Sequence, residues 1–147
     1  MTYISQKIDE QFALAEDLID QLKYKEAFQV FQEVALNSEN SPVERANAYA
    51  GMGELVECCD PGLASGDDES GLEFYKQALL LDNHNFHALL GIIGSFGESF
   101  PDHQDVAIFK LAYHQLINRK SKLDIKDLKT LKEKYLLMQK LERKKGK

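Results

Sequence analysis

The amino-acid sequence predicts an all-α protein, and three observations lead to this fold class. Apolar residues recur three and four positions apart through most of the chain, which is typical of amphipathic helices. Only 3 of the 147 residues are proline, whereas Leu, Ala, Glu, Lys and Gln, which favour helix, are plentiful. No segment sustains the alternation of apolar and polar residues that predicts a half-buried strand.

Seven helices are expected in order along the chain. The first carries the apolar series Ile4, Ile8, Phe12, Ala15, Ile19 and Leu22. The next five coincide with LKYKEAFQVFQEV, VERANAYAGMGELVECC, GLEFYKQALLLDN, NFHALLGIIGSFGES and QDVAIFKLAYHQLINRK. Ser41 is the expected N-cap of the third helix, with Pro42 in its first turn. The seventh helix runs from about residue 124 to residue 144, and Asp124 is its expected N-cap.

The helices form pairs, and the residue pattern of the second helix in each pair repeats. Its members are Ala27, Phe31 and Val34 in the first pair, Gly71, Tyr75 and Ala78 in the second, and Phe109 and Ala112 in the third. Tyr75 and Phe109 are 34 positions apart, whereas Phe31 and Tyr75 are 44 positions apart. Ten extra residues therefore interrupt the period, and eight of them fall within DPGLASGDDESG, residues 60–71.

This pattern resembles the tetratricopeptide repeat (TPR) family, whose units are pairs of helices 34 residues long. The resemblance implies one domain over residues 1–147, built as a helical-hairpin solenoid of three repeats. The repeats cover about 8–41, 44–85 with an inserted loop at 60–71, and 86–119, and a capping helix covers about 124–144. Small residues such as Gly51 and Gly71 would let neighbouring helices approach closely. The alternative is an unrelated all-helical bundle.

TPR proteins are binding scaffolds, so the resemblance implies a groove in which the first helices of the pairs hold another protein or a peptide. The expected groove residues are Asp9, Phe12, Glu16, Asp20, Arg45, Tyr49, Met52, Leu55, His87, Leu90 and Glu98. Family members that grip a C-terminal carboxylate have Lys and Asn where this chain has Phe12 and Glu16, so that mode is not expected. The acidic entrance and apolar middle instead favour a partner with basic and apolar side chains.

Charge is divided unevenly along the chain and leaves two further hypotheses open. The net charge is −6, but residues 119–147 hold 12 Lys and Arg against 4 Asp and Glu. A small acidic protein of this kind could be an immunity-type inhibitor that covers a basic toxin or nuclease. The basic C-terminal helix could instead contact nucleic acid, which is the less favoured hypothesis because the rest of the chain would repel phosphates. Whether the inserted loop or this helix contacts a partner is left open.

Several function classes are not expected. The sequence has no glycine-rich phosphate loop, nucleophile elbow or HExxH motif, so we expect no catalytic residue, no cofactor and no enzymatic activity. The nearest approach to a zinc set is Cys58, Cys59, His84 and His87, whose spacing matches no usual zinc site. No apolar run is long enough to span a membrane. Adjacent cysteines and an N-terminus unlike a signal peptide predict a cytoplasmic protein.

Overall fold

The computed structural model describes residues 3–63, 71–98 and 105–145. Seven α-helices lie in these ranges: α1 (Tyr3–Asp20), α2 (Tyr24–Leu36), α3 (Pro42–Cys58), α4 (Leu72–Leu81), α5 (Phe86–Ser95), α6 (Val106–Ile117) and α7 (Ile125–Lys145). Single turns of 3₁₀ helix occur at Pro61–Leu63 and Lys120–Lys122. No β-strand is found within the described ranges, and the predicted all-α fold class is confirmed.

Side-chain caps decide where two of these helices begin, as the sequence predicts. The Ser41 hydroxyl accepts a hydrogen bond from the Glu44 amide at 3.2 Å, and the Glu44 carboxylate accepts one from the Ser41 amide at 3.3 Å. This reciprocal arrangement satisfies two amides that α3 could not pair internally. At the start of α7 the Asp124 carboxylate accepts a hydrogen bond from the Asp127 amide at 2.7 Å. Both predicted N-caps are therefore confirmed.

The helices pack in an order that brings alternate helices together. Each helix contacts the next one along the chain, except that α6 and α7 meet only lightly, and α3 also packs against α5 and α5 against α7. These contacts are compatible with helix pairs stacked side by side, and the solenoid arrangement itself stays a prediction. Their consequence for the site is that α3 lies between α1 and α5 at one surface of the protein.

The hydrophobic core consists of two clusters that share α3. The first joins α1, α2 and α3 and includes Ile8, Ala15, Ala27, Phe31, Val34, Ala48, Met52 and Leu55. The second involves five helices, α3, α4, α5, α6 and α7. It includes Ala50, Tyr75, Ala88, Leu89, Ile92, Phe96, Phe109, Leu116, Leu131 and Met138. The partly buried Tyr49 side chain packs against both clusters. Helix α3 thus connects the two halves of the core.

Glycines allow the aromatic rings of α2 and α4 to reach the backbones of α3 and α5. A Cβ added at Gly51 would lie 2.8 Å from Cζ of Phe31, and one added at Gly53 would lie 2.6 Å from Cε1 of Tyr75. A Cβ at Gly71 would overlap the carbonyl oxygen of Gly53. The prediction that Gly51 and Gly71 permit close helix approach is confirmed. Neither position can take a side chain without moving its neighbours.

Helix α7 covers one end of the second cluster. Leu131 and Met138 are buried against it, and the partly buried Tyr135 and Leu141 also pack there. Lys134 is less exposed than the other lysines of this helix whose exposure is described. Its side chain is 14% exposed, and its ammonium group donates a hydrogen bond to the carbonyl oxygen of Phe96 at 2.6 Å.

The predicted insertion at 60–71 is described only at its two ends, because residues 64–70 lie outside the described residues. At the first end the Asp60 carboxylate accepts a hydrogen bond from the Gly62 amide at 3.0 Å, and Leu63 packs against the first core cluster. At the second end the Gly71 amide donates a hydrogen bond to the Glu57 carboxylate. Both ends are therefore tied to the body of the protein.

Candidate functional site

Two adjoining cavities lie on the surface that α1, α3 and α5 share. The first has a volume of about 230 Å³, and its lining residues are Phe12, Glu16, Phe31, Asn47, Gly51, Glu54 and His87. The second has a volume of about 370 Å³, and its lining residues are Glu54, Glu57, Cys58, Tyr75, His87, Leu90, Gly91, Gly94, Ser95 and Glu98. Because Glu54 and His87 line both cavities, the two form one depression, which we call the acidic groove.

The floor of the acidic groove is made by aromatic rings that belong to the core. Phe31 extends from α2 beneath Gly51, and its ring centroid lies 5.9 Å from that of Phe12 on α1. Tyr75 extends from α4 to the backbone of Gly91. Since glycine has no side chain to fill the space above these rings, the surface is recessed at both places. The groove therefore follows from the same close packing that builds the fold.

Carboxylates dominate the charge of the groove. Its acidic lining residues are Glu16, Glu54, Glu57 and Glu98, and no Lys or Arg belongs to the described lining of either cavity. Lys134 approaches from α7 and lies 3.7 Å from the Glu98 carboxylate, but that carboxylate side chain remains 75% exposed. Only the carboxylate side of this ion pair is open to solvent, because the Lys134 side chain is 14% exposed and donates to the Phe96 carbonyl oxygen. The groove therefore presents a negative potential to an approaching molecule.

Burial changes the acid–base behaviour of three groove side chains. Partial desolvation raises the pKa of Glu54 above its ordinary value, while the nearby His87 opposes that shift. Although the Cys58 side chain is exposed, desolvation by neighbouring atoms, followed by the charges of Cys59, Glu54 and Glu57, raises the pKa of its thiol. Burial, followed by the charges of Glu57 and Glu54, raises the pKa of Tyr75 far above its ordinary value. Cys58 and Tyr75 therefore stay protonated at neutral pH, and Cys58 has little thiolate for nucleophilic chemistry.

A buried amide pair positions the start of α5 beside α3. The Asn85 side chain is 4% exposed and accepts a hydrogen bond from the Ala88 amide at 2.9 Å, so it caps α5. The same side chain donates to the carbonyl oxygen of the Asn47 side chain at 2.7 Å. Because Asn47 belongs to α3, this bond fixes the spacing between the two helices. His87, two residues beyond the cap, consequently faces the groove.

The structure brings five of the predicted groove residues together and places the others elsewhere. Phe12, Glu16, His87, Leu90 and Glu98 line the groove. The remaining six predicted residues are not among its lining residues: Asp9, Asp20, Arg45, Tyr49, Met52 and Leu55.

Those six residues have other surroundings. Asp9 and Asp20 are exposed on α1. The Arg45 guanidinium donates a hydrogen bond to the carbonyl oxygen of Ala35 at 2.8 Å and so ties α3 to the end of α2. Tyr49 is partly buried between the two core clusters.

The expected register of α3 requires a correction, because Met52 and Leu55 are core residues rather than groove residues. They are 3% and 2% exposed. Helix α3 is enclosed by α2, α4 and α5, so most of its circumference is buried. The face that remains open carries Asn47, Gly51, Glu54 and Cys58, which recur four, three and four positions apart. That series of polar and small residues is visible in the sequence and marks the groove face.

The described residues contain no arrangement suited to a metal ion. No group of three or more His, Cys, Asp or Glu side chains in the described ranges is placed to hold one. The ring nitrogen Nδ1 of His84 lies 3.0 Å from the side-chain oxygen of Gln115 on α6, whereas His87 faces the groove. The candidate set of Cys58, Cys59, His84 and His87 is therefore not gathered at one point. No described helix is both long enough and apolar enough to cross a bilayer.

No protein-family model, no curated protein and no solved structure matches this chain. The resemblance to the TPR family therefore depends on the repeated residue pattern alone. The geometry and charge of the acidic groove are the remaining basis for an inference about function.

Proposed function

We propose that this protein is a non-enzymatic scaffold of TPR type that binds a segment of another protein in the acidic groove. The bound segment presents lysine or arginine side chains to the groove carboxylates and apolar side chains to Phe12 and Leu90. The observation that supports this proposal is the pairing of an open recess with four carboxylates and no lining Lys or Arg in its described part. Adaptors, chaperones and inhibitors all act through such stoichiometric binding.

Charge and apolar surface would contribute differently to this interaction. Carboxylates that are partly desolvated attract a cation more strongly than carboxylates in bulk water, as the raised pKa of Glu54 indicates for its surroundings. Such complementarity mainly increases the association rate and excludes acidic partners. The partly buried Phe12 and Leu90 add apolar area, which gives most of the affinity at an interface core. A partner with both characters therefore fits better than a purely basic one.

An immunity-type inhibitor is one form of this proposal. In that form the groove would cover the active site of a basic toxin or nuclease, and the complex would be tight and weakened by salt. The groove carboxylates support an inhibitor and an adaptor equally. The two forms differ in the class of the partner, which is a toxin or nuclease for an inhibitor.

Selection from a random peptide library displayed on phage tests the proposal without a known partner. We expect the selected peptides to be enriched in Lys or Arg together with large apolar residues. Their affinity should fall by about tenfold or more when the salt concentration is raised from 50 to 500 mM, because salt screens exposed charges. The test variant combines Glu16→Gln, Glu54→Gln and Glu98→Gln. Glu57 is left intact because its carboxylate holds the Gly71 amide.

A matched control removes the same number of charges elsewhere. Glu10→Gln, Glu26→Gln and Glu33→Gln change three exposed acids that do not line the groove. The groove variant should bind the selected peptides at least about tenfold more weakly than the control variant. Equal losses in the two variants would mean that only net charge matters. Peptides without basic residues, or binding indifferent to both variants, would contradict the proposal.

A further inference from the structure

A second recess lies on another part of the surface, between α6 and α7. Its volume is about 470 Å³, and its lining residues are Tyr113, Ile117, Lys120, Leu128, Leu131, Lys132, Tyr135 and Leu136. Six of these eight side chains are apolar or aromatic. We call it the α6–α7 cleft. None of its lining residues belongs to the acidic groove.

The floor of the α6–α7 cleft is made of stacked aromatic rings and a buried leucine. The rings of Tyr113 and Tyr135 are stacked with centroids 4.5 Å apart and planes inclined by 22°. Tyr113 in turn stacks on the buried Phe109 at 6.3 Å. Leu131 is 3% exposed and closes the cleft from below. The floor of the recess is therefore anchored to the core through Tyr113 and Leu131.

Helix α7 carries a second apolar face that has no helix packed on it in the described part of the chain. Ile125, Leu128 and Leu136 are 86%, 36% and 51% exposed, although α7 already buries Leu131 and Met138 against the core. Leu128 and Leu136 are on the wall of the cleft with the exposed Lys132 between them along the helix, and Ile125 is not among the lining residues. Exposed apolar side chains that border a recess are typical of an interaction site.

The charge around the cleft selects among possible occupants. Among the described lining residues, the two charged ones, Lys120 and Lys132, are basic and exposed, and none is a carboxylate. A second copy docked face to face would bring these lysines against the same lysines, which is unfavourable. An acidic partner would instead neutralise them. From the apolar lining and the two lysines within it, we infer that the α6–α7 cleft binds an amphipathic helix of another protein, whose apolar side chains are flanked by Asp or Glu.

The dimensions of the cleft fit one such helix. Leu128 and Leu136 are eight positions apart on α7, which corresponds to about 12 Å, or roughly two helical turns. A helix placed along this face inserts two or three side chains spaced three and four residues apart. Acidic residues on its flanks then lie near Lys120 and Lys132. The partner of this cleft therefore has the opposite charge to the partner expected in the acidic groove.

Binding to defined peptides tests this inference directly. The probe is a hydrocarbon-stapled helical peptide of about four turns with Leu at three positions of one face, Trp at a fourth, and Glu on both flanks. Because the protein has no tryptophan, the emission of the peptide can be excited selectively. The comparison peptide has the same apolar face with Lys in place of every Glu. We expect saturable binding with a blue shift for the acidic peptide and none for the basic peptide.

Two variants locate the binding. Leu136 is an exposed wall residue in the free protein. Leu136→Asp should weaken binding of the acidic peptide by about tenfold or more, because it removes an apolar contact that the complex would bury. Lys120→Glu with Lys132→Glu should abolish the preference for the acidic peptide. The variant with Glu16→Gln, Glu54→Gln and Glu98→Gln should bind it as the unmodified protein does. Circular dichroism and the midpoint of thermal unfolding confirm that each variant is folded.

Four results would overturn the inference. They are no binding of the acidic peptide, equal binding of both peptides, binding that Leu136→Asp leaves unchanged, and binding that is lost in the groove variant. Sedimentation of the protein alone tests whether a second copy of this chain occupies the cleft. A dimer that dissociates when Leu136→Asp is introduced would assign the cleft to a second copy of this chain instead.

Discussion

The ring of Tyr75 on α4 lies directly against the backbone of Gly91 on α5. A Cβ added at Gly91 would overlap three ring atoms of Tyr75. A Cβ added at Gly53 on α3 would also overlap this ring, at 2.6 Å from its Cε1 atom. The tyrosine is 2% exposed, yet it also forms part of the floor of the acidic groove. One close contact therefore sets both the spacing of three helices and the depth of the groove.

Replacement of Gly91 by alanine should destabilise the protein. The new methyl group would displace the Tyr75 ring, and overpacking of this kind costs about 1–3 kcal/mol. Alanine also favours helix over glycine by up to about 1 kcal/mol, which offsets part of that cost. We expect the free energy of unfolding, measured in urea, to fall by roughly 1–2 kcal/mol in total.

Gly94 is a matched control for this substitution, because it belongs to the same helix and no atom lies within 4 Å of an added Cβ. Gly94→Ala should therefore leave stability unchanged or raise it by up to about 1 kcal/mol. Similar effects of the two substitutions would show that the Tyr75 contact is not as close as described.

The amide pair between α3 and α5 should matter more than an exposed cap. Asn85→Ala removes the cap of α5 and leaves the Asn47 side chain without its donor, so a loss of about 2 kcal/mol is expected. Ser41→Ala, which removes an exposed cap, should cost about 1 kcal/mol or less. Equal losses in urea unfolding would contradict a special role for the buried pair.

The raised pKa of Glu54 predicts a pH-dependent gain in stability from Glu54→Gln. A carboxyl whose folded pKa lies above its unfolded value binds its proton more tightly in the folded protein. Stability attributable to it is therefore present at low pH and lost as pH rises through the folded pKa. The glutamine variant should melt at a higher temperature than the unmodified protein at pH 7, with a smaller difference near pH 4. A difference in melting temperature that grows toward low pH would contradict this prediction.

Removal of α7 should abolish cooperative folding. Truncation after Arg119 exposes the core surface that Leu123, Leu131 and Met138 cover, and each large buried side chain contributes about 2–5 kcal/mol. The sum, about 6–15 kcal/mol, is as large as the whole stability of a typical single domain. Thermal unfolding followed by circular dichroism should lose its sigmoidal transition. A truncated protein that unfolds at nearly the original temperature would show that α7 is peripheral to the core.

Nucleic-acid binding through α7 is a separate hypothesis, for which we predict a negative result. At about 150 mM salt a fluorescent duplex should show no saturable binding below about 10⁻⁴ M, which is the weak end of non-specific affinity. If binding were tighter, reversal of the exposed Lys126, Lys129 and Lys140 to glutamate should eliminate it and reduce its salt dependence. Such a result would favour the nucleic-acid hypothesis over a capping role.

The groove shows which exposed positions the sequence pattern predicts and which it does not. Phe12, Glu16 and His87 lie on helices with one buried face, and their exposure follows from their periodicity. Met52 and Leu55 lie on α3, where apolar residues occur on several sides and periodicity does not choose among them. The open face of α3 depends on where α2, α4 and α5 pack, and those contacts join residues distant in the chain.

The amino-acid sequence by itself determined the all-α class, the order of seven helices and the caps at Ser41 and Asp124, because these depend on interactions within a few residues. It also placed small residues where aromatic rings approach. Only the tertiary structure shows that Glu54 and His87 line the same groove and that α7 has exposed apolar side chains on its outer side. Both facts depend on the packing of separate helices, in which burial of one face leaves the remaining face to solvent.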